Sequence, residues 1–242
     1  MNAKKPHLPP KPFISRDPHT RGVMGSIDNA AAGTPVMIFG PSGSGRTTLA
    51  RLIHERSGRK GAFVTVNCAA FPGKLLEKEL AGARGAMAAA AGGTLFLNEI
   101  GAVGPGAQKK LRQAVEKGSV FPAGSGVISC TRGSVKNFME FEKLLSGNFP
   151  LISSGFFHCL NDVGITLKPM RERQCDILPL IKYFAAGRRL VFSKQAEDFL
   201  LSYEWPGNLR EIKRFVELVS CPGPGEVISL KTAKDHVMWR FF

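Results

Sequence analysis

The sequence predicts an α/β domain in which a parallel sheet lies between two layers of helices, followed by a smaller helical subdomain. Short apolar runs alternate with amphipathic segments through the first two thirds of the 242 residues, and a glycine-rich turn joins the first strand to the next helix. Such alternation favours a parallel sheet with helices on both faces. We therefore expect a flexible arm at 1–12, an α/β subdomain at 13–169 and a helical subdomain at 170–242.

The individual elements are predicted from periodicity and from the turn residues that bound them. Short apolar runs of strand length are Val36–Phe39, Phe63–Asn67, Thr94–Leu97, Gly126–Cys130 and Gly164–Leu167. Helical spacing is clearest around Leu111 and Val115, which lie one turn apart with Lys109 and Lys110 on other faces. The predicted helices are Arg21–Ala32, Thr47–Glu55, Leu75–Leu80, Ala86–Ala91, Ala107–Lys117, Ile177–Tyr183, Lys194–Ser202, Asn208–Val219 and Leu230–Trp239.

The glycine-rich turn after the first strand has the spacing of a phosphate-binding loop. It consists of Gly40, Pro41, Ser42, Gly43, Ser44, Gly45, Arg46 and Thr47, and Thr48 follows it in the helix. Glycines let backbone N–H groups turn towards a phosphate, and the helix N-terminus adds its dipole. Arg46 replaces the usual lysine with a bulkier, planar cation that would crowd the γ-phosphate. We expect this loop to bind ATP, with the Thr47 hydroxyl on Mg²⁺.

Two polar residues end the third predicted strand, where a parallel sheet carries its ligands. Asn98 occupies the position at which phosphate-loop nucleotidases have a metal-binding aspartate, and Glu99 follows it. Because Mg²⁺ prefers carboxylate oxygens, the neutral amide of Asn98 predicts weak Mg²⁺ binding. Glu99 is the candidate general base for residual hydrolysis. The alternative is a buried strand that ends in two capping polar residues.

The chain is strongly basic, with 33 Lys and Arg against 19 Asp and Glu and a formal net charge of +14. This balance favours acidic partners such as nucleotides, nucleic acid or an acidic protein face, and it is equally consistent with a diffuse basic surface. We find no helix that would read bases and no alternation of aromatic and basic residues. Nucleic-acid binding is therefore possible without a recognisable reading motif.

The five cysteines are scattered and form no CxxC pair, which argues against a zinc site. We expect them to be buried free thiols in a reducing compartment. No apolar run approaches the ~20 residues of a membrane span, and no signal-peptide pattern is present. These features predict a cytoplasmic protein without membrane contact.

Several blocks together resemble the central AAA+ domain of bacterial sigma-54-dependent transcription activators. The matching blocks are Phe13–Pro18, Val66–Ala70, Leu76–Leu80, Gly92–Gly101, Met170–Arg173 with Asp176 and Ile177, and Trp205–Glu211. The resemblance implies an AAA+ fold, a parallel αβα sandwich with a helical lid, and nucleotide bound between the two. It also implies that Arg210 touches the nucleotide phosphates from the lid, and that the domain assembles into oligomers.

The sequence departs from this family at the elements that drive hydrolysis and remodelling. The GAFTGA loop that grips the sigma factor is missing after Leu80, where Ala81–Gly85 leads through an alanine-rich stretch to Gly92. Arg132 stands where the family has a sensor asparagine. No arginine lies between Phe149 and Asn161, where the family carries two arginine fingers, and no helix-turn-helix domain is expected before Phe242. The missing loop points away from sigma-54 remodelling, whereas the missing arginine fingers, together with Arg46 and Asn98, point to weak or no hydrolysis.

We therefore expect a regulatory AAA+ domain that binds ATP, hydrolyses it weakly or not at all, and acts as a homo-oligomer or with a related AAA+ activator. One alternative is a working ATPase in which Arg46 replaces lysine and Arg132 of a neighbouring subunit replaces the fingers. Another is a basic scaffold without nucleotide that binds nucleic acid or a protein, and a decayed relative of the family is a third.

Overall fold

The computed structural model describes most of the chain as two packed subdomains. The described residues are 12–30, 34–71, 74–80, 85–117, 125–132, 153–219 and 227–238, with the side chains of 26–30, 114, 117 and 238 excepted. The predicted arm at 1–12 lies outside this range except for its last residue, and so does Ala81–Arg84 of the shortened loop. Among the described residues, no helix is long and apolar enough to cross a bilayer.

A five-stranded parallel sheet forms the centre of the first subdomain, as predicted. Its strands are β1 (Val36–Phe39), β2 (Phe63–Asn67), β3 (Thr94–Asn98), β4 (Gly126–Thr131) and β5 (Val163–Thr166). They are hydrogen-bonded in the order β2-β3-β4-β1-β5, and every neighbouring pair is parallel. Each strand is therefore reached by a crossover, which places the connecting helices on the two faces of the sheet.

Alternate residues of the buried strands pack into two separate apolar layers. In β1, Val36 and Ile38 belong to one cluster, whereas Met37 and Phe39 belong to the other. Side chains alternate between the faces of a strand, so an uninterrupted apolar run is required where both faces are covered. The helices of this subdomain are α1 (Pro18–Ala30), α2 (Arg46–Arg56), α3 (Lys74–Leu80), α4 (Ala86–Ala89), α5 (Pro105–Lys117) and α6 (Ser154–Leu160).

The second subdomain is a helical lid with its own core. Its helices are α7 (Gln174–Phe184), α8 (Lys194–Ser202), α9 (Asn208–Val219) and α10 (Leu230–Met238). Trp205 is fully buried at the centre, where its indole N–H donates to the carbonyl of Leu200 at 2.9 Å. Two short strands, β6 (Val191–Phe192) and β7 (Val227–Ile228), pair in parallel at its edge. The α/β sandwich with a helical lid confirms the predicted fold class.

The segment before α1 joins the two subdomains. Phe13 packs against the core on one side of the sheet, whereas its neighbour Ile14 packs against the core of the lid. Consecutive side chains of this extended segment therefore contribute to different hydrophobic cores.

Three sequence-based expectations require correction. The first helix begins at Pro18 rather than Arg21, since proline is well suited to the first turn of a helix. Helix α6 was not predicted, although Phe156, Phe157 and Leu160 fill the sandwich core. The expectation that the cysteines are buried holds for Cys68 and Cys130 but not for Cys175, which lies exposed in the first turn of α7.

Candidate functional site

The glycine-rich loop connects β1 to α2 in the conformation that a phosphate loop requires. Gly43 and Gly45 have φ values of 77° and 105°, a region that favours glycine. A Cβ atom at Gly43 would lie 2.5 Å from the carbonyl oxygen of Gly207 in the lid. The glycine is therefore needed both for the turn and for close contact with the lid.

Backbone N–H groups at the start of α2 are available to an anion. Within the part of the chain that the structure describes, the N–H groups of Gly45, Arg46 and Thr47 donate to no protein acceptor, and the first donor of the helix is Leu49, to Gly45 at 2.9 Å. Several unpaired N–H groups at a helix N-terminus form a phosphate-binding cradle. Thr47 is exposed beside it.

Arg46 folds back across this loop instead of extending into solvent. Its side chain is 8% exposed, and Nη1 donates to the carbonyl of Gly40 at 2.9 Å. Nη2 donates to Oε1 of Glu99 at 2.7 Å and forms an ion pair with it. The cation that replaces the usual lysine is thus bound to the residue expected to act as general base.

Glu99 is held by two arginines at once. Its second oxygen, Oε2, accepts a hydrogen bond from Nε of Arg132 at 3.0 Å, and the Arg132 side chain is 70% exposed. Glu99 itself has φ 55° and ψ 52°, a left-handed conformation that costs a glutamate on the order of 1–2 kcal/mol. Both carboxylate oxygens therefore point into ion pairs within the site.

The side chain of Asn98 is hydrogen-bonded to the neighbouring strand β4. Its Oδ1 accepts a hydrogen bond from the thiol of Cys130 at 2.9 Å, since Asn98 and Cys130 are paired in the register of β3 and β4. Burial raises the pKa of Cys130 to about 11, so its sulfur carries the proton that it donates. Among the described residues, no group of three or more His, Cys, Asp or Glu side chains is placed to hold a metal ion.

The lid binds the outer side of the loop through main-chain carbonyls. The Asn208 side chain donates to the carbonyl of Ser42 at 3.0 Å, and the N–H of Leu209 donates to that of Gly43 at 3.0 Å. Arg210, the residue predicted to reach the phosphates, has Nη1 3.5 Å from the hydroxyl of Ser42. The structure therefore brings Arg210 together with the phosphate loop.

A buried charge pair behind the loop was not singled out as a site from the sequence. Arg173 is 1% exposed, donates through Nη2 to the carbonyl of Ser44 at 3.1 Å and pairs with Asp176 at 3.7 Å. Burial lowers the pKa of Arg173, and the charge of Asp176 opposes that shift. Asp176 also accepts hydrogen bonds from the hydroxyl of Ser15, at 2.6 Å, and the N–H of Asp17, at 3.1 Å. The pair connects the N-terminal segment, the lid and the loop.

Comparisons with known proteins agree with this geometry. A family model described as the sigma-54 interaction domain matches residues 13–132, and one described as the AAA+ ATPase lid domain matches residues 171–238. SfnR of Pseudomonas putida, a sigma54-dependent transcriptional activator, is 34% identical over 91% of this chain and 69% of its own length. This chain belongs to the sigma-54 activator family. It is an AAA+ domain of a class that regulates transcription.

Two further proteins show how much of a similar protein the chain covers. UacR of Escherichia coli, a sigma-54-dependent regulator, is 38% identical over 82% of this chain and 37% of its own length. NtrX from Brucella abortus, solved in complex with ATP, superposes with a TM-score of 0.76 at 25% identity, over 93% of this chain and 57% of NtrX. The chain therefore spans only part of each of these three relatives.

Proposed function

We propose that this chain is a nucleotide-binding regulatory domain that binds ATP and hydrolyses it slowly or not at all. The unpaired N–H groups of the loop, the approach of Arg210 from the lid and the ATP complex of the relative NtrX support the binding half of the proposal. The residues proposed to bind nucleotide are Gly40, Pro41, Ser42, Gly43, Ser44, Gly45, Arg46, Thr47, Thr48 and Arg210.

The ion pairs of Glu99 are the structural observation that supports weak hydrolysis, beside the missing arginine fingers in the sequence. A general base must accept a proton from the attacking water. Both oxygens of Glu99 accept hydrogen bonds from Arg46 and Arg132, at 2.7 and 3.0 Å. Each oxygen keeps a further acceptor site, but a water molecule would have to share the carboxylate with two charge-assisted bonds, the stronger class of hydrogen bond, which fix its orientation.

We further propose that the domain does not remodel sigma-54 itself. Five residues, 81–85, separate α3 from α4 and leave no room for the family's GAFTGA loop. Helix α6 covers the described half of the segment in which the family has its arginine fingers, and it carries no arginine. The domain would then act in the cytoplasm by assembling with copies of itself or with a related activator, with 13–169 as its α/β subdomain and 170–242 as its lid.

The binding half is tested by titrating the purified chain with a fluorescent ATP analogue. We expect saturable binding that weakens about tenfold or more in Arg46→Ala, because the loop loses its cation. Arg189→Ala removes an exposed arginine on the lid, away from the loop, and serves as the matched control. If binding does not saturate at millimolar nucleotide, the proposal of nucleotide binding is wrong and the alternative of a basic scaffold is favoured.

The hydrolysis half is tested by phosphate release under saturating ATP and Mg²⁺. Loss of an arginine finger alone slows such enzymes by about 10³–10⁵-fold, so we expect turnover below about 10⁻² s⁻¹. Steady release well above this rate, abolished in Glu99→Gln, would show that the domain is a working ATPase.

A further inference from the structure

Three departures from the usual phosphate-loop pattern meet at one place in this domain. Arg46, at the end of the loop, and Arg132, after β4, each bind one of the two oxygens of Glu99. Asn98 precedes Glu99 and accepts a hydrogen bond from the Cys130 thiol. These residues come from three different elements of the sheet edge, so their juxtaposition is a property of the fold and not of one sequence motif.

The residues present do not fit Mg²⁺, the metal that phosphate-loop proteins use with their nucleotides. Such proteins hold the ion with the loop hydroxyl and an aspartate at the strand end. Here Thr47 still offers a hydroxyl, but Asn98 has a neutral amide whose oxygen already accepts a hydrogen bond. Both oxygens of Glu99 already form ion pairs, and an incoming cation would approach the guanidinium groups of Arg46 and Arg132.

The charge of the site is nevertheless what a metal-loaded site would have. In the family pattern, a loop lysine, two strand-end carboxylates and a neutral sensor asparagine together carry one net negative charge. A divalent ion converts this to one net positive charge. In this chain Arg46 and Arg132 outweigh Glu99, and Asn98 is neutral, so the same four positions carry one net positive charge without a metal.

We infer that this domain binds the phosphates of ATP or ADP without Mg²⁺, with Arg46 and Arg132 supplying the charge that the metal supplies elsewhere. This inference rests on the proposed nucleotide binding. Guanidinium groups bind phosphate oxygens through paired hydrogen bonds and keep their charge at any physiological pH. On nucleotide binding, Arg46 keeps its hydrogen bond to the Gly40 carbonyl, and its Nη2 donates to a phosphate oxygen instead of to Glu99. The exposed side chain of Arg132 then also turns from Glu99 to a phosphate oxygen.

The test compares the dissociation constants of ATP and ADP by calorimetry, in excess MgCl₂ and in EDTA at equal ionic strength. We expect the two constants to agree within about threefold for each nucleotide. Weakening of about tenfold or more in EDTA would overturn the inference while leaving nucleotide binding intact. Absence of binding in both buffers would overturn the inference together with the proposed function.

Two variants locate the source of the charge. In EDTA, Arg132→Gln is expected to weaken ADP binding about tenfold, whereas Arg189→Gln, an equal change of charge at an exposed lid position, has no effect. Asn98→Asp is expected to weaken binding in EDTA and to make it Mg²⁺-dependent, since it adds the missing carboxylate. Unchanged binding in both Arg132→Gln and Asn98→Asp, with wild-type melting temperatures, would contradict the assignment.

Discussion

The buried carboxylate of Asp176 is the most informative position at which to perturb the contact between the subdomains. Its side chain is 0% exposed and pairs with Arg173, which is 1% exposed. It also accepts hydrogen bonds from the Ser15 hydroxyl and from the N–H groups of Arg16 and Asp17. Asp176→Asn keeps the shape and one acceptor oxygen, but it removes the charge that pairs with the buried Arg173 guanidinium and leaves the weaker influence of Asp17.

The expected loss in the free energy of unfolding follows from the removal of the Asp176 charge from beside Arg173. Removal of one partner of a buried ion pair destabilises proteins by about 3–5 kcal/mol, and we expect the lower end because the amide oxygen keeps one acceptor. For a chain of this size, each kcal/mol lowers the melting temperature by about 2–4 °C, so Asp176→Asn should melt about 6–12 °C below the wild type.

The assay is thermal unfolding followed by circular dichroism, with Asp198→Asn as the matched control. Asp198 also pairs with a cation, Lys194, at 2.9 Å, but its side chain is 59% exposed and that of Lys194 is 79% exposed. Because solvent-exposed ion pairs contribute little, we expect the control to melt with the wild type. Equal shifts in the two variants would refute the reasoning that burial sets the cost.

Three further predictions concern the loop, the thiols and the N-terminal segment. Gly43→Ala should lower the denaturation midpoint more than Gly58→Ala. Both glycines have positive φ, but only at Gly43 would the added Cβ meet a backbone atom, the carbonyl oxygen of Gly207 at 2.5 Å. Equal midpoints would contradict this. Iodoacetamide at neutral pH should alkylate the exposed Cys175 faster than the buried Cys130, whose pKa burial raises to about 11. Equal rates for these two cysteines in peptide mass mapping would show that Cys130 is accessible to the reagent. Burial acts to raise the pKa of Asp17, but hydrogen bonds from Thr20 outweigh it and leave the pKa below its usual 3.8. Its charge therefore stabilises the fold above that value, and the urea midpoints of wild type and Asp17→Asn should converge as the pH falls below about 4.

The sheet and most helices could be predicted because each carries a periodic signal of its own. Strands β1 and β3 contain short apolar runs, Val36–Phe39 and Leu95–Leu97, that are buried on both faces, and their length and the turn residues around them favour strands over helices. Strands β6 and β7 have only two residues each, too few for any period to show. Helix α6 has only seven residues, too few for its apolar positions to show a helical period.

The site was predictable as a set of residues but not as a set of contacts. The loop and Arg210 follow from spacing, since the motif fixes which backbone atoms line the cradle. The contacts of Glu99 join residues that are distant in sequence, since Arg46 lies 53 positions before it and Arg132 lies 33 positions after it. The burial of Arg173 and Asp176 was likewise hidden, because charged residues at a spacing of three resemble an exposed helical pair.

The hydrogen bonds from the lid to the loop carbonyls determine how the whole domain unfolds. Asn208, Leu209 and Arg173 bind the carbonyls of Ser42, Gly43 and Ser44, so the lid cannot detach without exposing main-chain groups at the end of the sheet. The two hydrophobic cores are therefore coupled, although each is complete in itself. Calorimetry should record a single cooperative transition, with equal calorimetric and van't Hoff enthalpies, instead of separate melting of the sandwich and the lid.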